Sequence, residues 1–230
     1  MRIVGLTGNI AAGKSTVAAA LAAGGLPVID CDALAHAAAQ PGRWAYRRLV
    51  RAFGRAITVD PSDPASPIDR VSLGALAFVD PAARRKLNGA THLPITVALL
   101  CRLIAAWAAC RLVVVVDMPL LFETGAWRAT RPRVLVDAPE EVRAARLRAR
   151  DGLSPAAAGD RIAAQAPAAG KAGRCAFVIR NEGDLDEVRA TAASVGVAVR
   201  RGAWVHALVT PPGLAGLVGA GVLAARRWWM

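Results

Sequence analysis

A stretch near the N-terminus, residues 8–15, carries the residue types best suited to chemistry. It matches G-x-x-x-x-G-K-[ST], a loop whose glycines let backbone N–H groups turn inward onto phosphate oxygens. In such a loop Lys14 reaches the β- and γ-phosphates of a nucleoside triphosphate, and the Ser15 hydroxyl ligates Mg²⁺. The sequence therefore predicts a nucleotide-binding loop made of Gly8, Asn9, Ile10, Ala11, Ala12, Gly13, Lys14, Ser15 and Thr16.

The segments on either side of the loop are those that a phosphate-binding loop requires. Residues 2–7 are an apolar run that predicts a buried strand, and the alanine-rich residues 16–23 predict a helix. Gly24 and Gly25 end that helix. Because a helix directs the positive end of its dipole toward an anion at its N-terminus, this strand, loop and helix together predict one phosphate site.

Further apolar runs alternate with helical segments along the chain, which predicts a parallel sheet with helices on both faces. We expect an α/β fold of the P-loop NTPase class, with a doubly wound five-stranded parallel sheet and helical substrate-binding and lid segments. The last helix is expected at residues 184–194, followed by an edge strand at 197–199. The five strands of the sheet are predicted at residues 2–7, 26–29, 112–117, 133–137 and 177–179.

Carboxylates follow two of these strands, at the edge of the sheet where ligands bind. Asp32 is expected to act as a general base or as a partner of Mg²⁺. Asp117 is expected either to ligate Mg²⁺ or to brace the loop through hydrogen bonds. Asp30 is better suited to capping the helix that follows. The predicted metal ligands are thus Ser15, Asp32 and Asp117.

The composition narrows the classes of partner. The formal net charge of +12 favours polyanionic ligands, which include nucleotides, nucleic acids and anionic membranes. Aromatic residues make up only 5% of the chain, so platforms for stacking nucleic-acid bases are not expected. The four cysteines form no C-x-x-C pair and predict reduced thiols. Since the first strand begins at residue 2, we expect no cleavable leader and a cytoplasmic location.

The order of these motifs resembles the dephospho-CoA kinase family over about residues 2–190. Residues 28–32 (Val-Ile-Asp-Cys-Asp) are similar to the Asp-x-Asp of that family. Residues 117–123 (Asp-Met-Pro-Leu-Leu-Phe-Glu) match its most distinctive string. Its lid is similar to Arg146-Leu147, Arg150-Asp151 and Arg161-Ile162 with Gln165, which Lys171 follows. Residues 177–183 resemble its segment near adenine.

This resemblance implies that the chain transfers the γ-phosphoryl group of ATP to the 3′-hydroxyl of dephospho-CoA, with Mg²⁺ present. It implies catalytic roles for Lys14 and Asp32. It also implies that Arg150 and Arg161 of the lid contact the transferring phosphoryl group, and that Asn181 binds near adenine. ATP and dephospho-CoA are the expected ligands, and nucleic acid is not expected.

The resemblance also implies a division of the chain. A kinase domain is expected at residues 1–202, with a helical CoA-binding insertion at about 41–110 and a lid at about 143–172. Asn9 stands where the family usually has glycine, and we expect it to accommodate a positive φ angle. In His92-Leu93-Pro94-Ile95 the proline lies one position later than in the family.

Other functions are compatible with the loop alone. A kinase for another nucleoside or nucleotide would share the loop and the Asp-x-Asp, but residues 117–123 argue against it. A P-loop NTPase without kinase activity is a less favoured alternative. Of this class, a GTP switch would need an Asn-Lys-x-Asp motif for guanine, which this sequence lacks. A nucleic-acid-binding protein would be supported by the net charge only.

The C-terminal segment, residues 203–230, has a different character. Residues 203–225 form a 23-residue run without Asp, Glu, Lys or Arg, flanked by paired arginines and followed by Trp228 and Trp229. A membrane-spanning helix needs roughly 20 apolar residues, and tryptophan is common at membrane interfaces. Pro211 and Pro212 interrupt the run. We expect membrane association facing the cytosol; a tail that folds back or mediates dimerisation is the alternative.

Overall fold

A five-stranded parallel sheet in the order β2-β3-β1-β4-β5 forms the centre of the protein. The computed structural model describes residues 1–165 and 167–209. Its strands are β1 (Arg2–Gly8), β2 (Val28–Asp30), β3 (Val113–Asp117), β4 (Arg133–Asp137) and β5 (Phe177–Arg180). Its α-helices are α1 (Lys14–Ala23), α2 (Cys31–Ala38), α3 (Trp44–Phe53), α4 (Arg70–Val79), α5 (Pro81–Ala108), α6 (Glu140–Asp151), α7 (Pro155–Ala163), α8 (Ala169–Ala172) and α9 (Leu185–Val209).

The middle strand β1 fixes the position of the phosphate loop. It pairs in parallel with β3 on one side and with β4 on the other. Leu6 lies opposite Asp117 in β3 and opposite Val134 in β4, and both Leu6 and Val134 are fully buried. Most residues of β1, β3 and β4 are buried, and these strands are largely apolar runs, as buried parallel strands usually are. The predicted sheet is confirmed, and its register brings Asp117 to the end of β1 where the loop begins.

The chain divides into two compact units. One contains residues 1–28 and the described residues from 106 onward, with β1, β3, β4 and β5 and the helices that pack on them. The other contains residues 29–105, with α2, α3, α4 and most of α5. The helical insertion that the sequence placed at 41–110 falls mainly in this second unit.

The predicted edge strand at residues 197–199 is wrong, because α9 continues through this segment to Val209. The buried residues of α9 follow a helical repeat of three and four positions that packs on the sheet. They are Val188, Ala192, Val195, Val199 and Ala203. The expected boundary of the tail at residue 203 therefore lies inside a core helix, and the rest of the tail, residues 210–230, lies outside the described residues.

Helix α5 contains an internal proline, and an arginine from α3 compensates for it. Pro94 has no N–H, so it cannot donate the usual hydrogen bond to the Ala90 carbonyl one turn earlier. Arg48 donates instead, from Nε to the Ala90 carbonyl at 3.1 Å and from Nη2 to the Gly89 carbonyl at 2.8 Å. The side chain of Arg48 thus replaces the missing backbone donor of α5.

Among the described residues, α5 is also the one helix whose length and apolar composition would allow it to cross a membrane. Its most apolar window has a mean hydropathy of 1.5 and is 11% buried. Core helices of soluble proteins can have the same length and apolar composition as α5.

The substitution Arg48→Met is expected to lower the free energy of unfolding by about 1–2 kcal/mol, because the buried Ala90 carbonyl loses its donor. Urea denaturation followed by circular dichroism measures this loss. Arg47→Met, at an exposed position of the same helix, serves as the control and should have little effect. In a Pro94→Ala background the loss should shrink, since an alanine N–H can bond to Ala90. An equal loss in both backgrounds would rule out this compensation.

Candidate active site

The phosphate loop turns tightly between the end of β1 and the start of α1. The backbone N–H of Ala12 donates to the Asn9 carbonyl at 3.1 Å, which closes a turn. Ala11 and Gly13 have left-handed φ angles of 58° and 91°. The expectation of a positive φ at Asn9 is wrong, because the left-handed residue of this turn is its third, Ala11. At Gly13 a Cβ would collide with the amide of Asn181, so only glycine allows this approach.

Lys14, the first residue of α1, forms an ion pair with Asp117 at the end of β3. The Nζ–Oδ1 distance is 2.6 Å, and the side chains are 19% and 5% exposed. A charge-assisted hydrogen bond of this length in a nearly buried site is among the stronger protein contacts. The structure therefore shows a contact between Asp117 and the loop, which was one of its two expected roles. Its role as an Mg²⁺ ligand stays a prediction.

Two side chains hold the carbonyl groups in the middle of the loop. Arg146 of α6 donates from Nη1 to the Ala11 carbonyl at 3.3 Å, and Asn181 donates from Nδ2 to the Ala12 carbonyl at 2.9 Å. Arg146 also donates to Asn181 Oδ1 at 2.7 Å. Because the C=O and N–H of a trans peptide point in opposite directions, a fixed Ala12 carbonyl directs the Gly13 N–H away from Asn181.

Both polar groups of the Asn181 amide are therefore hydrogen-bonded, Nδ2 to the loop and Oδ1 to Arg146, and the residue is almost fully buried. It follows β5, whose parallel pairing with β4 brings it behind the loop. These contacts explain why an asparagine is suitable here, since it donates and accepts at once. The expected contact with adenine stays a prediction.

A second lysine contacts the beginning of the loop. Lys171 of α8 pairs with Glu123 at 2.8 Å and donates to Asn9 Oδ1 at 3.3 Å. Close by, the backbone N–H of Ile10 donates to Gln165 Oε1 at 2.8 Å. Partial burial alone would raise the pKa of Glu123, but the hydrogen bond and charge of Lys171, together with backbone hydrogen bonds, hold this pKa below its ordinary value.

The segment 117–123 explains how both lysines are held. Its first and last residues, Asp117 and Glu123, are the two carboxylates that pair with Lys14 and Lys171. Backbone and hydroxyl contacts fix this segment to β1: the Met118 N–H donates to the Leu6 carbonyl and the Thr7 hydroxyl to the Pro119 carbonyl, both at 2.9 Å. The sequence identified this segment, but it did not predict the contacts that Glu123, Lys171, Arg146 and Gln165 make.

The two lid arginines share one carboxylate. Arg150 donates to Asp151 at 2.7 and 3.0 Å, and Arg161 donates to Asp151 at 3.0 Å. The hydrogen bond from Arg150, together with both positive charges, lowers the pKa of Asp151. Buried apolar residues of α6 and α7 pack together beneath them, among them Leu147 and Ile162. The structure thus brings Arg150 and Arg161 together on the exposed surface of the lid; their contact with phosphate stays a prediction.

Asp32 lies in the unit of residues 29–105, in the first turn of α2. Asp30 caps this helix, because its carboxylate accepts from the N–H groups of Asp32 and Ala33 at 2.8 and 3.0 Å. The Asp32 residue is exposed, and its roles as base and Mg²⁺ partner stay predictions. Within the part of the chain that the structure describes, no group of three or more His, Cys, Asp or Glu residues could hold a metal ion.

Comparison with known proteins identifies the family. The sequence model of dephospho-CoA kinase matches residues 2–187. A dephospho-CoA kinase of Anaeromyxobacter dehalogenans is 44% identical over 183 residues, which are 80% of this chain and 85% of that protein. One from Arabidopsis thaliana is 36% identical over 224 residues, 97% of this chain and 95% of that protein.

Two solved structures have a similar fold. The crystal structure of TT1252 from Thermus thermophilus has a TM-score of 0.71 and 36% sequence identity, covering 84% of this chain and 96% of that one. A dephospho-CoA kinase from Campylobacter jejuni, 24% identical with a TM-score of 0.58 over 84% of this chain and 95% of that one, shares the fold. The motifs, the sheet and these relatives lead to one conclusion: the chain belongs to the dephospho-CoA kinase family.

Proposed function

We propose that this chain transfers the γ-phosphoryl group of ATP to the ribose 3′-hydroxyl of dephospho-CoA and so forms coenzyme A. The observation that carries the proposal is the phosphate loop whose Lys14 forms an ion pair with Asp117, in a chain that belongs to this family. A kinase for another nucleoside or nucleotide is the alternative, and nothing in the site favours it.

Phosphoryl transfer needs correct positioning and neutralisation of charge more than covalent help from the protein. The loop N–H groups would hold the phosphate oxygens, and Lys14 would leave Asp117 to contact the β- and γ-phosphates. Arg150 and Arg161 would neutralise the charge that spreads over the transferring group, a task to which the permanently charged guanidinium is suited. Asn181 would support nucleotide binding indirectly, by holding the loop in its binding conformation.

The residues at the loop are compatible with Mg²⁺. Ser15 is exposed at the start of α1, and Asp117 supplies a carboxylate at the neighbouring strand end. Mg²⁺ prefers such oxygen ligands and usually completes its octahedron with water and substrate phosphates, so few protein ligands suffice. Ser15 and Asp117 would hold the ion, which when bound neutralises charge on the β- and γ-phosphates. A role of Asp32 as a further partner of Mg²⁺ stays a prediction from the sequence.

The proposal is tested by incubating the purified protein with ATP, Mg²⁺ and dephospho-CoA and identifying the product by mass spectrometry and chromatography against authentic coenzyme A. We expect coenzyme A, phosphorylated at the 3′-hydroxyl. Parallel reactions with adenosine, AMP and other nucleosides test the alternative kinase, and ATP alone tests simple hydrolysis. Phosphorylation of another acceptor without formation of coenzyme A would contradict the proposal.

Asp32→Asn is expected to reduce turnover by about 10²–10⁴-fold, the usual contribution of a general base, while ATP binding changes little. The neighbouring Asp30→Asn is the matched control, because asparagine also caps helices and should preserve both α2 and activity. Steady-state kinetics and equilibrium ATP binding provide the two measurements. If Asp32→Asn changes turnover less than about tenfold, Asp32 is not the base.

We further propose that the C-terminal segment associates with a membrane that faces the cytosol. Its support is the uncharged run from residue 203 to 225, with arginine pairs on both sides and two tryptophans at its end. The protein would otherwise be cytoplasmic. Because α9 extends to Val209 and Ala203 is in the core, a truncation that keeps the whole of α9 starts at residue 210.

Deletion of residues 210–230 is expected to abolish flotation with phosphatidylcholine vesicles and to leave kinase activity intact. Neutral vesicles are used because the net charge of +12 would bind anionic lipid regardless of the tail. Carbonate extraction then separates a spanning tail from one that lies on the surface. A full-length protein that stays in the soluble fraction of this assay would contradict the membrane proposal.

A further inference from the structure

A second buried lysine ends on the phosphate loop. Lys171 is 7% exposed, its ammonium lies 2.8 Å from Glu123 Oε1, and it donates to Asn9 Oδ1 at 3.3 Å. Asn9 is itself only 5% exposed and directly follows Gly8. A carboxylate, an ammonium group and an amide therefore form a continuous chain of contacts from residue 123 to the first turn of the loop.

Burying the Lys171 ammonium costs free energy because it is removed from water, whereas its partner Glu123 is 38% exposed and stays largely hydrated. An apolar side chain at position 171 would fill space without that cost. What only a lysine provides here is an ammonium with three donors, which can serve Glu123 and Asn9 at the same time. Packing alone therefore does not explain a lysine at position 171, whereas its hydrogen bond to Asn9 of the loop does.

The Asn9 side chain is well placed to transmit this contact. The Asn9 carbonyl accepts the N–H of Ala12 and closes the turn, so the orientation of Asn9 is coupled to the peptide groups that follow. The Ile10 N–H is held by Gln165, a residue just before the segment that carries Lys171. The first half of the loop is therefore held from residues 165 and 171, and the second half from Arg146 and Asn181.

We propose that Lys171 is a positioning residue for the phosphate loop. Held by Glu123, its ammonium fixes Asn9 and with it the first turn, which sets where the loop N–H groups meet the phosphates of ATP. Lys171 acts through Asn9. The inference rests on the proposed function, since it concerns the loop that would bind ATP.

A double-mutant cycle on nucleotide binding tests this inference. Asn9→Ala, Lys171→Met and the double variant are titrated with a fluorescent ADP analogue, and their melting temperatures are recorded. Each single variant should bind about tenfold more weakly, the equivalent of the ~1.4 kcal/mol contributed by one hydrogen bond to a charged group. The double variant should bind no more weakly than Lys171→Met, because both substitutions remove the same contact. Arg201→Met, at an exposed position of α9, is the control for loss of one positive charge.

Steady-state kinetics adds a measurement that a purely structural role would not affect. The KM for ATP should rise in both single variants, while the KM for dephospho-CoA stays unchanged. Should Lys171→Met fail to fold, Asn9→Ala decides alone, because it removes the acceptor and leaves the Lys171–Glu123 pair in place.

Two results would overturn the inference. One is ADP binding by Asn9→Ala within about twofold of the wild type; the other is additive losses of about a hundredfold in the double variant. The binding cycle needs no turnover, so it remains decisive even if the wild-type protein binds ADP but forms no coenzyme A. That separate outcome would count against the proposed function only.

Discussion

The ion pair between Lys14 and Asp117 is the interaction on which the rest of the site depends. A lysine that is to neutralise phosphates must be kept near them, and without a nucleotide its charge still needs a partner in this largely buried position. Asp117 supplies that partner at 2.6 Å. The distance is short because β1 and β3 are adjacent, parallel and in a register that puts Asp117 opposite Leu6. The order of the sheet thus determines the chemistry of the loop.

A phosphate loop must also expose several N–H groups without a phosphate to organise them. In this protein side chains hold the loop backbone through hydrogen bonds. Arg146 donates to the Ala11 carbonyl and Asn181 to the Ala12 carbonyl. Gln165 accepts from the Ile10 N–H. These residues come from α6, from the end of β5 and from the segment after α7. Elements that are far apart in the sequence therefore converge on a few peptide groups, and the loop can be rigid before ATP binds. Preformed donors of this kind require little reorganisation during reaction.

The sequence predicted the elements that have a regular apolar pattern and the site that matches a known motif. The apolar runs predicted the strands, and the glycines with Lys14 predicted the loop, because these signals are local. The strand expected at residues 197–199 was wrong because valine favours strands, whereas the three- and four-residue spacing of Ala192, Val195 and Val199 is helical. The positive φ was expected at Asn9 from residue preference, but the geometry of the turn assigns it to Ala11.

The contacts of Lys171, Glu123 and Arg146 could not be derived from the sequence, since they join residues that only the fold brings together.

A crystal structure of the protein with ADP tests the central claim of this account most directly. The account predicts density for the β-phosphate inside the loop, within hydrogen-bond distance of the N–H groups of Gly13 and Lys14, with the Lys14 ammonium moved from Asp117 to phosphate. Density for ADP outside the loop, or a Lys14 that remains on Asp117 with the β-phosphate bound elsewhere, would contradict it.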